Sequence, residues 1–177
     1  MNPLMRTALA GGMMALWAVA AQAQQESTNN VAVKTDWNVF VETNPRECWG
    51  VSPPKQTVNT RDGRVVAVNR GEILLFVTFR PGAGAAGEVS FTGGYPFAQG
   101  STVSVQIGSE TFELFTDNQW AWPASKADDA RVLAAMKRGA EAVLTGRSSR
   151  GTQTKDTFSL MGFTAAMEEA ERRCAGN

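Results

Sequence analysis

Apolar and polar residues alternate in short segments along most of the chain, and turn-forming residues separate the segments. Alternation with a period of two is typical of a β-strand with one buried face. The unbroken apolar segment 73–77 instead predicts a strand covered on both faces. The close spacing of the segments predicts an antiparallel sandwich or a sheet closed on itself. The predicted strands are 37–42, 48–51, 57–60, 65–68, 73–77, 89–91, 103–107, 112–114, 142–145 and 157–160.

Two segments in the second half of the chain carry a helical period. The first follows Ser125, which favours an N-cap, and ends near Gly139, which favours a helix C-terminus. The second begins at Gly162. Its apolar residues are spaced by four, three and four positions, which places Cys174 on the predicted buried face. The two stripes are Val132, Leu133 and Met136 in the first helix, and Phe163, Met167, Ala170 and Cys174 in the second.

The N-terminal segment has the pattern of a secretory leader. Arg6 precedes an uncharged, apolar segment over 7–20, and Ala21-Gln22-Ala23 matches a cleavage site. The pattern predicts a signal peptide over 1–23, cleaved between Ala23 and Gln24, and an uncleaved membrane anchor is the alternative. The polar segment 24–36 predicts a disordered lead-in. Residues 37–177 then form one predicted domain.

The charge balance gives no electrostatic reason for binding to polyanions. The chain has 17 basic and 17 acidic side chains. Neither nucleic acid nor an anionic membrane surface is therefore an expected partner. No other segment is long and apolar enough to span a bilayer, so we expect no transmembrane segment in the mature chain.

Histidine is absent and only two cysteines are present. These facts exclude Ser-His-Asp and Cys-His catalysis, as well as any metal site that contains histidine. We predict no catalytic residue, no metal site and no cofactor. In an oxidising compartment Cys48 and Cys174 most simply form one intramolecular disulfide, and an intermolecular bridge is the alternative.

Four side chains are candidates for ligand binding. Trp120 and Trp122 stand two positions apart, so in a strand they face the same side, either as a stacking platform for a sugar ring or as core packing. Arg147 and Arg150 share a predicted polar hairpin loop that is rich in hydroxyls. The loop is either an anion site or a solvated turn.

Several motifs follow one another along the chain: ECWGVSPP at 47–54, GGYP at 93–96, QWAWP at 119–123, AAMKRG at 134–139, and SSRGT at 148–152 followed by DTFSLMGFTAA at 156–166. Taken in their order and spacing, these motifs resemble the invasion-associated locus B family of secreted alphaproteobacterial proteins. The resemblance implies an immunoglobulin-like β-sandwich in the cell envelope, with no known enzymatic activity or cofactor. Many relatives carry a cysteine in the first strand, and here the predicted strand 37–42 has none.

The leading hypothesis is a non-catalytic cell-envelope protein, periplasmic or associated with the cell surface, that binds an envelope or surface protein. Its main rival is a carbohydrate- or anion-binding module centred on Trp120, Trp122, Arg147 and Arg150. A third hypothesis is a histidine-free hydrolase that uses carboxylates or a Ser-Lys pair formed by Lys155 with a nearby serine.

Overall fold

The computed structural model describes residues 29–175, and within them the chain forms twelve strands, two α-helices and one short 3-10 turn. The strands are β1 (Asn30–Lys34), β2 (Trp37–Thr43), β3 (Arg46–Ser52), β4 (Gln56–Arg61), β5 (Arg64–Val65), β6 (Leu74–Arg80), β7 (Ala85–Thr92), β8 (Thr102–Ile107), β9 (Glu110–Asp117), β10 (Trp120–Trp122), β11 (Glu141–Arg147) and β12 (Gln153–Ser159). The helices are α1 (Lys126–Arg138) and α2 (Phe163–Ala175).

The strands form one antiparallel sheet in the order β1-β2-β3-β6-β7-β10-β9-β8-β11-β12-β4-β5. The sheet folds over, so that strands distant in this order face each other across the core. Phe91 on β7 packs edge-to-face against Phe158 on β12, with 6.0 Å between the ring centroids. The predicted mainly β sandwich with two helices in the C-terminal half is thereby confirmed.

Alternation along the strands determines which side chains enter the core. In β8 every second residue is buried, and these residues are Val103, Val105 and Ile107. The same period places Phe112 and Leu114 of β9 inside. A sheet that buries one face and exposes the other requires this pattern, because a shift of one residue in the strand register would expose every apolar side chain.

Both helices pack on the inner side of the folded sheet. Ser125 caps α1 by accepting a hydrogen bond from the Asp128 N–H, as its position in the sequence predicts. In α2, Phe163 packs against Trp37 with 4.8 Å between the ring centroids. A Cβ atom on Gly50 of β3 would clash with Met167, so glycine permits the close approach of α2 to the sheet.

The predicted disulfide between Cys48 and Cys174 is present and is intramolecular. The two Cα atoms are 5.6 Å apart, which is within the usual range for a disulfide. Both residues are buried. The bond links the last turn of α2 to β3, near the start of the domain.

The predicted disordered lead-in at 24–36 is wrong for the residues that the structure describes. Asn30–Lys34 forms β1, which pairs with β2 at the edge of the sheet. Val31 and Ala32 are partly buried and pack against the core, and this burial offsets the loss of chain entropy. The predicted strand at 65–68 is also shorter, because only Val65 and the preceding residue continue the ladder.

The signal peptide at 1–23, its cleavage between Ala23 and Gln24, and residues 24–28 of the lead-in lie outside the described residues. Within residues 29–175, no helix has the length and apolar character needed to cross a membrane.

Candidate functional site

Strand β10 presents two tryptophans on the outer side of the sheet. It lies between β7 and β9, and its three residues alternate in direction. Ala121 points into the core and is fully buried, whereas Trp120 and Trp122 are each 42% exposed. Of the two predicted alternatives, core packing is therefore excluded for these tryptophans.

Two phenylalanines on nearby strands extend this apolar surface. Phe115 of β9 lies opposite Trp122 in the ladder and is 54% exposed. Phe76 of β6 is partly buried and contacts Trp120, with 5.8 Å between the ring centroids. We call Phe76, Phe115, Trp120 and Trp122 the aromatic face. Further along the sheet, Phe40 stacks on Trp49 at 5.5 Å.

Most of the charged side chains beside the aromatic face that lack a salt bridge among the described residues are acidic. Lys126, which lines a depression with Trp122, also lacks one and donates a hydrogen bond to the Gly84 carbonyl at 3.0 Å. Glu113 and Asp117 lie two positions before and two positions after Phe115 on β9, so all three side chains point to the same side of the strand. Glu72 lies in the same shallow depression as Trp120. None of these three carboxylates takes part in a salt bridge among the described residues. Arg80, near Trp122, is neutralised by Glu47 and Glu88 at 2.7 and 2.6 Å.

A second candidate lies elsewhere on the molecule, in a cleft of about 520 Å³ that we call the polar cleft. It forms where β4, the segment before β6, the loop after β7 and the loop between β11 and β12 come together. Its lining residues are Arg61, Val68, Asn69, Arg70, Gly94, Tyr95, Pro96, Ser148, Ser149, Arg150, Thr152 and Thr154.

A buried ion pair supports the wall of the polar cleft. Arg70 donates two hydrogen bonds to the Asp156 carboxylate at 2.7 and 2.6 Å, and both side chains are almost completely buried. Burial raises the pKa of the Asp156 carboxyl, and the hydrogen bonds from Arg70 oppose that rise. The Arg70 guanidinium also lies over the Tyr95 ring at 5.0 Å and donates to the Gly93 carbonyl. Arg70 is thus fully engaged in structure.

Hydroxyl groups line the polar cleft beside this pair. The Tyr95 and Thr154 hydroxyls share a hydrogen bond of 2.6 Å, and burial raises the pKa of the Tyr95 phenol. The phenol therefore stays protonated and polar at neutral pH. Ser148 is buried, and its Oγ accepts a hydrogen bond from the Thr152 N–H at 3.1 Å, which fixes the loop between β11 and β12.

Two further arginines reach the polar cleft without a carboxylate partner among the described residues. Arg61, at the end of β4, donates to the Thr152 Oγ1 at 2.7 Å. Arg150 is exposed at the tip of the 148–152 loop, next to Gly151, whose φ of 81° is the left-handed conformation that glycine adopts easily. The arrangement can hold an anion between two guanidinium groups.

The four predicted site residues do not converge on one site. Arg150 lines the polar cleft, whereas Trp120 and Trp122 belong to the aromatic face and line other depressions. Arg147, at the end of β11, is exposed and is not part of the cleft lining. Lys155 and Ser148 are likewise separated, because Lys155 lies in another depression with Arg138.

The sequence analysis did not identify Phe115 as part of the aromatic face or Arg61 as part of the polar cleft. Phe115 could have been identified from the alternation of β9. Phe112 and Leu114 lie at even-numbered positions that face the core, so the odd-numbered Phe115 must point outward. Arg61 lies at the end of β4, where it pairs with Arg64 of β5. Its contact with Thr152, 91 residues away, depends on the pairing of β4 with β12, which no local pattern reports.

Comparisons with known proteins agree on one family. A family model described as Invasion associated locus B (IalB) protein matches residues 17–171. The crystal structure of invasion associated protein B from Bartonella henselae is similar in fold, with a TM-score of 0.53 and 15% sequence identity over 78% of this chain and 94% of that chain. No curated protein matches the sequence.

Proposed function

This chain belongs to the invasion associated locus B family, and on that premise we propose that it is a secreted envelope protein that binds another protein and catalyses no reaction. The family is associated with the cell envelope. The observation that carries the proposal is the aromatic face, where Trp120, Trp122 and Phe115 are 42%, 42% and 54% exposed. We assign the partner contact to this surface.

Exposed aromatic side chains at fixed positions favour protein binding. Contiguous apolar patches on monomeric proteins commonly mark interaction sites. Tryptophan is enriched among the residues whose truncation costs about 2 kcal/mol or more of binding free energy. Because β10 is held between two strands, Trp120 and Trp122 lose little backbone entropy when a partner covers them.

The charges around the aromatic face favour a protein over a lipid surface. Attraction to an anionic membrane needs clustered Lys or Arg, each worth roughly 1 kcal/mol near the surface. Among the described neighbours, the carboxylates without a salt bridge, Glu72, Glu113 and Asp117, outnumber the cation Lys126, which lies beside Trp122. The proposed partner therefore presents an apolar patch with a neutral or basic rim.

Site-specific photocrosslinking in cells tests the surface. A photoreactive residue at position 122 should give a covalent adduct of discrete mass with one protein. The same residue at Met161, which is 63% exposed outside the aromatic face, serves as the matched control. The purified partner should then bind the Trp120→Ser/Trp122→Ser variant at least about tenfold more weakly than the parent protein.

Two results would count against the proposal. Equal crosslinking from positions 122 and 161 would mean that the aromatic face is not a specific contact. Adducts with lipid instead of protein, together with retention on vesicles that Trp120→Ser/Trp122→Ser abolishes, would replace the protein partner with a membrane.

The proposed secretion is tested separately by the mass of the protein isolated from the cell envelope. Cleavage of the predicted leader gives an N-terminus at Gln24. A protein that keeps Met1 in the envelope fraction would contradict the cleaved leader, although it would not affect the role assigned to the aromatic face.

A further inference from the structure

The polar cleft carries positive charge that the described residues do not neutralise. Three of its lining residues are arginines and none is acidic. The charge of Arg70 is neutralised by the buried Asp156 carboxylate. Arg61 and Arg150 take part in no salt bridge among residues 29–175, so two guanidinium groups give the cleft its net charge.

Arg61 is held in place rather than free to move. Its Nη2 donates to the Thr152 Oγ1 at 2.7 Å, and Thr152 is itself buried in a loop closed by the hydrogen bond to Ser148. One guanidinium edge is therefore positioned in advance, while Arg150 is exposed on the loop and can adjust. Pre-positioning lowers the entropy lost when an anion binds.

The rest of the lining fits a ring-shaped molecule with hydroxyl groups. Tyr95, Pro96 and Val68 provide apolar surface, and Ser149 and Asn69 provide hydrogen-bonding groups near the two arginines. A volume of about 520 Å³ lies within the range of roughly 300–1,000 Å³ that is typical of small-molecule pockets. The cleft offers contacts that a free inorganic ion would leave unused.

We propose that the polar cleft binds an acidic saccharide, a sugar that carries a carboxylate or sulfate group, with the anionic group between Arg61 and Arg150. Guanidinium groups bind carboxylate and sulfate oxygens through directed, charge-assisted hydrogen bonds. The sugar ring lies toward Tyr95 and Pro96, and its hydroxyls reach Ser149 and Asn69. This site is separate from the aromatic face and independent of the protein partner proposed above.

Titration calorimetry on the purified protein tests the site with four probes: glucuronic acid, a sulfated glucose, neutral glucose and inorganic phosphate. We expect the two acidic sugars to bind in the millimolar range or tighter, and at least about tenfold more tightly than glucose or phosphate. Their affinity should fall as salt is added, because part of the attraction is electrostatic.

Single variants locate the site. Arg61→Gln and Arg150→Gln should each weaken glucuronic acid binding by about tenfold or more while the melting temperature stays close to that of the parent. Arg147→Gln is the matched control, because it removes the same charge from the adjoining strand β11 but from a residue outside the lining. It should change affinity by less than about twofold.

Each alternative outcome contradicts part of the proposal. If neither acidic sugar binds in the millimolar range, the cleft is not a saccharide site. If phosphate binds as tightly as the acidic sugars, the site recognises a free oxyanion and the sugar contacts are wrong. If Arg147→Gln weakens binding as much as Arg150→Gln, general positive charge and not the cleft accounts for the affinity.

Discussion

The aromatic face and the polar cleft are exposed surfaces built in opposite ways. In the aromatic face, Trp120 and Trp122 stand on a strand whose inward residue, Ala121, alone enters the core. In the polar cleft, the buried pair of Arg70 and Asp156 holds the wall on which exposed groups depend. Side chains that face solvent can therefore be changed with little loss of stability at the first surface. At the second, functional and structural residues lie next to each other.

The largest effect we expect comes from the disulfide, which joins α2 to β3, the strand next to β6 of the aromatic face. Replacing both cysteines in Cys48→Ser/Cys174→Ser should lower the free energy of unfolding by about 4 kcal/mol, because the bond closes a long loop with a sequence separation of 126. Urea denaturation measures the loss. Hydrogen exchange should increase first in α2 and β3, while β11, β12 and β4 around the cleft stay protected.

A uniform loss of protection from hydrogen exchange in the Cys48→Ser/Cys174→Ser protein would contradict the expected difference between α2 and β3 and the strands around the polar cleft. It would mean that the domain unfolds as one cooperative unit and that the polar cleft depends on the bond as much as α2 does.

The next largest effect concerns the buried pair in the polar cleft. Arg70→Met leaves the Asp156 carboxylate buried without a partner, and we expect a loss of about 3 kcal/mol or more in the free energy of unfolding. Arg150→Gln, which removes an exposed charge from the same cleft, should cost less than about 0.5 kcal/mol. Chemical denaturation of the two variants gives the comparison. Equal losses in the free energy of unfolding for Arg70→Met and Arg150→Gln would contradict the distinction between a structural Arg70 and an exposed Arg150.

A charged cluster outside both surfaces should show a smaller and pH-dependent effect. Hydrogen bonds from Arg173 and Arg172 lower the pKa of Glu169 to about 2 from a usual value of 4.5. Because the folded state holds the ionised form, this cluster stabilises the protein above pH 4.5, and that stabilisation is lost as the pH falls toward about 2. The cluster also reaches Lys34 of β1 at 3.5 Å.

Melting temperatures measured between neutral pH and the acid limit test this cluster. Glu169→Gln should flatten the decline of stability over that interval, whereas Glu168→Gln, on the exposed side of the same helix, should leave it unchanged. The same decline in parent and Glu169→Gln proteins would assign acid unfolding to other carboxylates.

The smallest stability effect is expected at the aromatic face. Trp120→Ser/Trp122→Ser should reduce the free energy of unfolding by less than about 1 kcal/mol, because both side chains face outward. Ala121→Leu, between them on the inner side, should cost about 1–3 kcal/mol through overpacking. Thermal denaturation compares the two. A larger loss from the tryptophan variant would mean that the aromatic face supports the fold and would weaken its assignment to binding.

The sequence was most informative where one face of a strand is buried. The alternation predicted β2, β8 and β9, because the buried residues of each of these strands are apolar and stand at every second position. It missed β1, which lies at the sheet edge, where Val31 and Ala32 are only partly buried and the contrast between faces is weak. The capping residue Ser125 was predictable because a cap is a local interaction.

The candidate sites were less predictable because they are assembled from distant segments. The sequence of β10 does not reveal whether Ala121 or the two tryptophans, Trp120 and Trp122, face the core. The Arg70–Asp156 pair joins residues 86 positions apart, and its role as a support follows only from the tertiary structure. Arg150 was correctly singled out as a loop arginine, yet its partner in the polar cleft is Arg61 rather than Arg147.

The link between Cys48 and Cys174 has a consequence for synthesis, because ribosomes make the chain from its N-terminus. Cys48 emerges first, and its partner lies 126 positions later in the last turn of α2, so the bond cannot form until residue 174 has been made. A product that stops before residue 174 keeps a reactive thiol at Cys48. The oxidised bond therefore marks a chain that extends through residue 174, and thiol-reactive reagents can separate such molecules from shorter products.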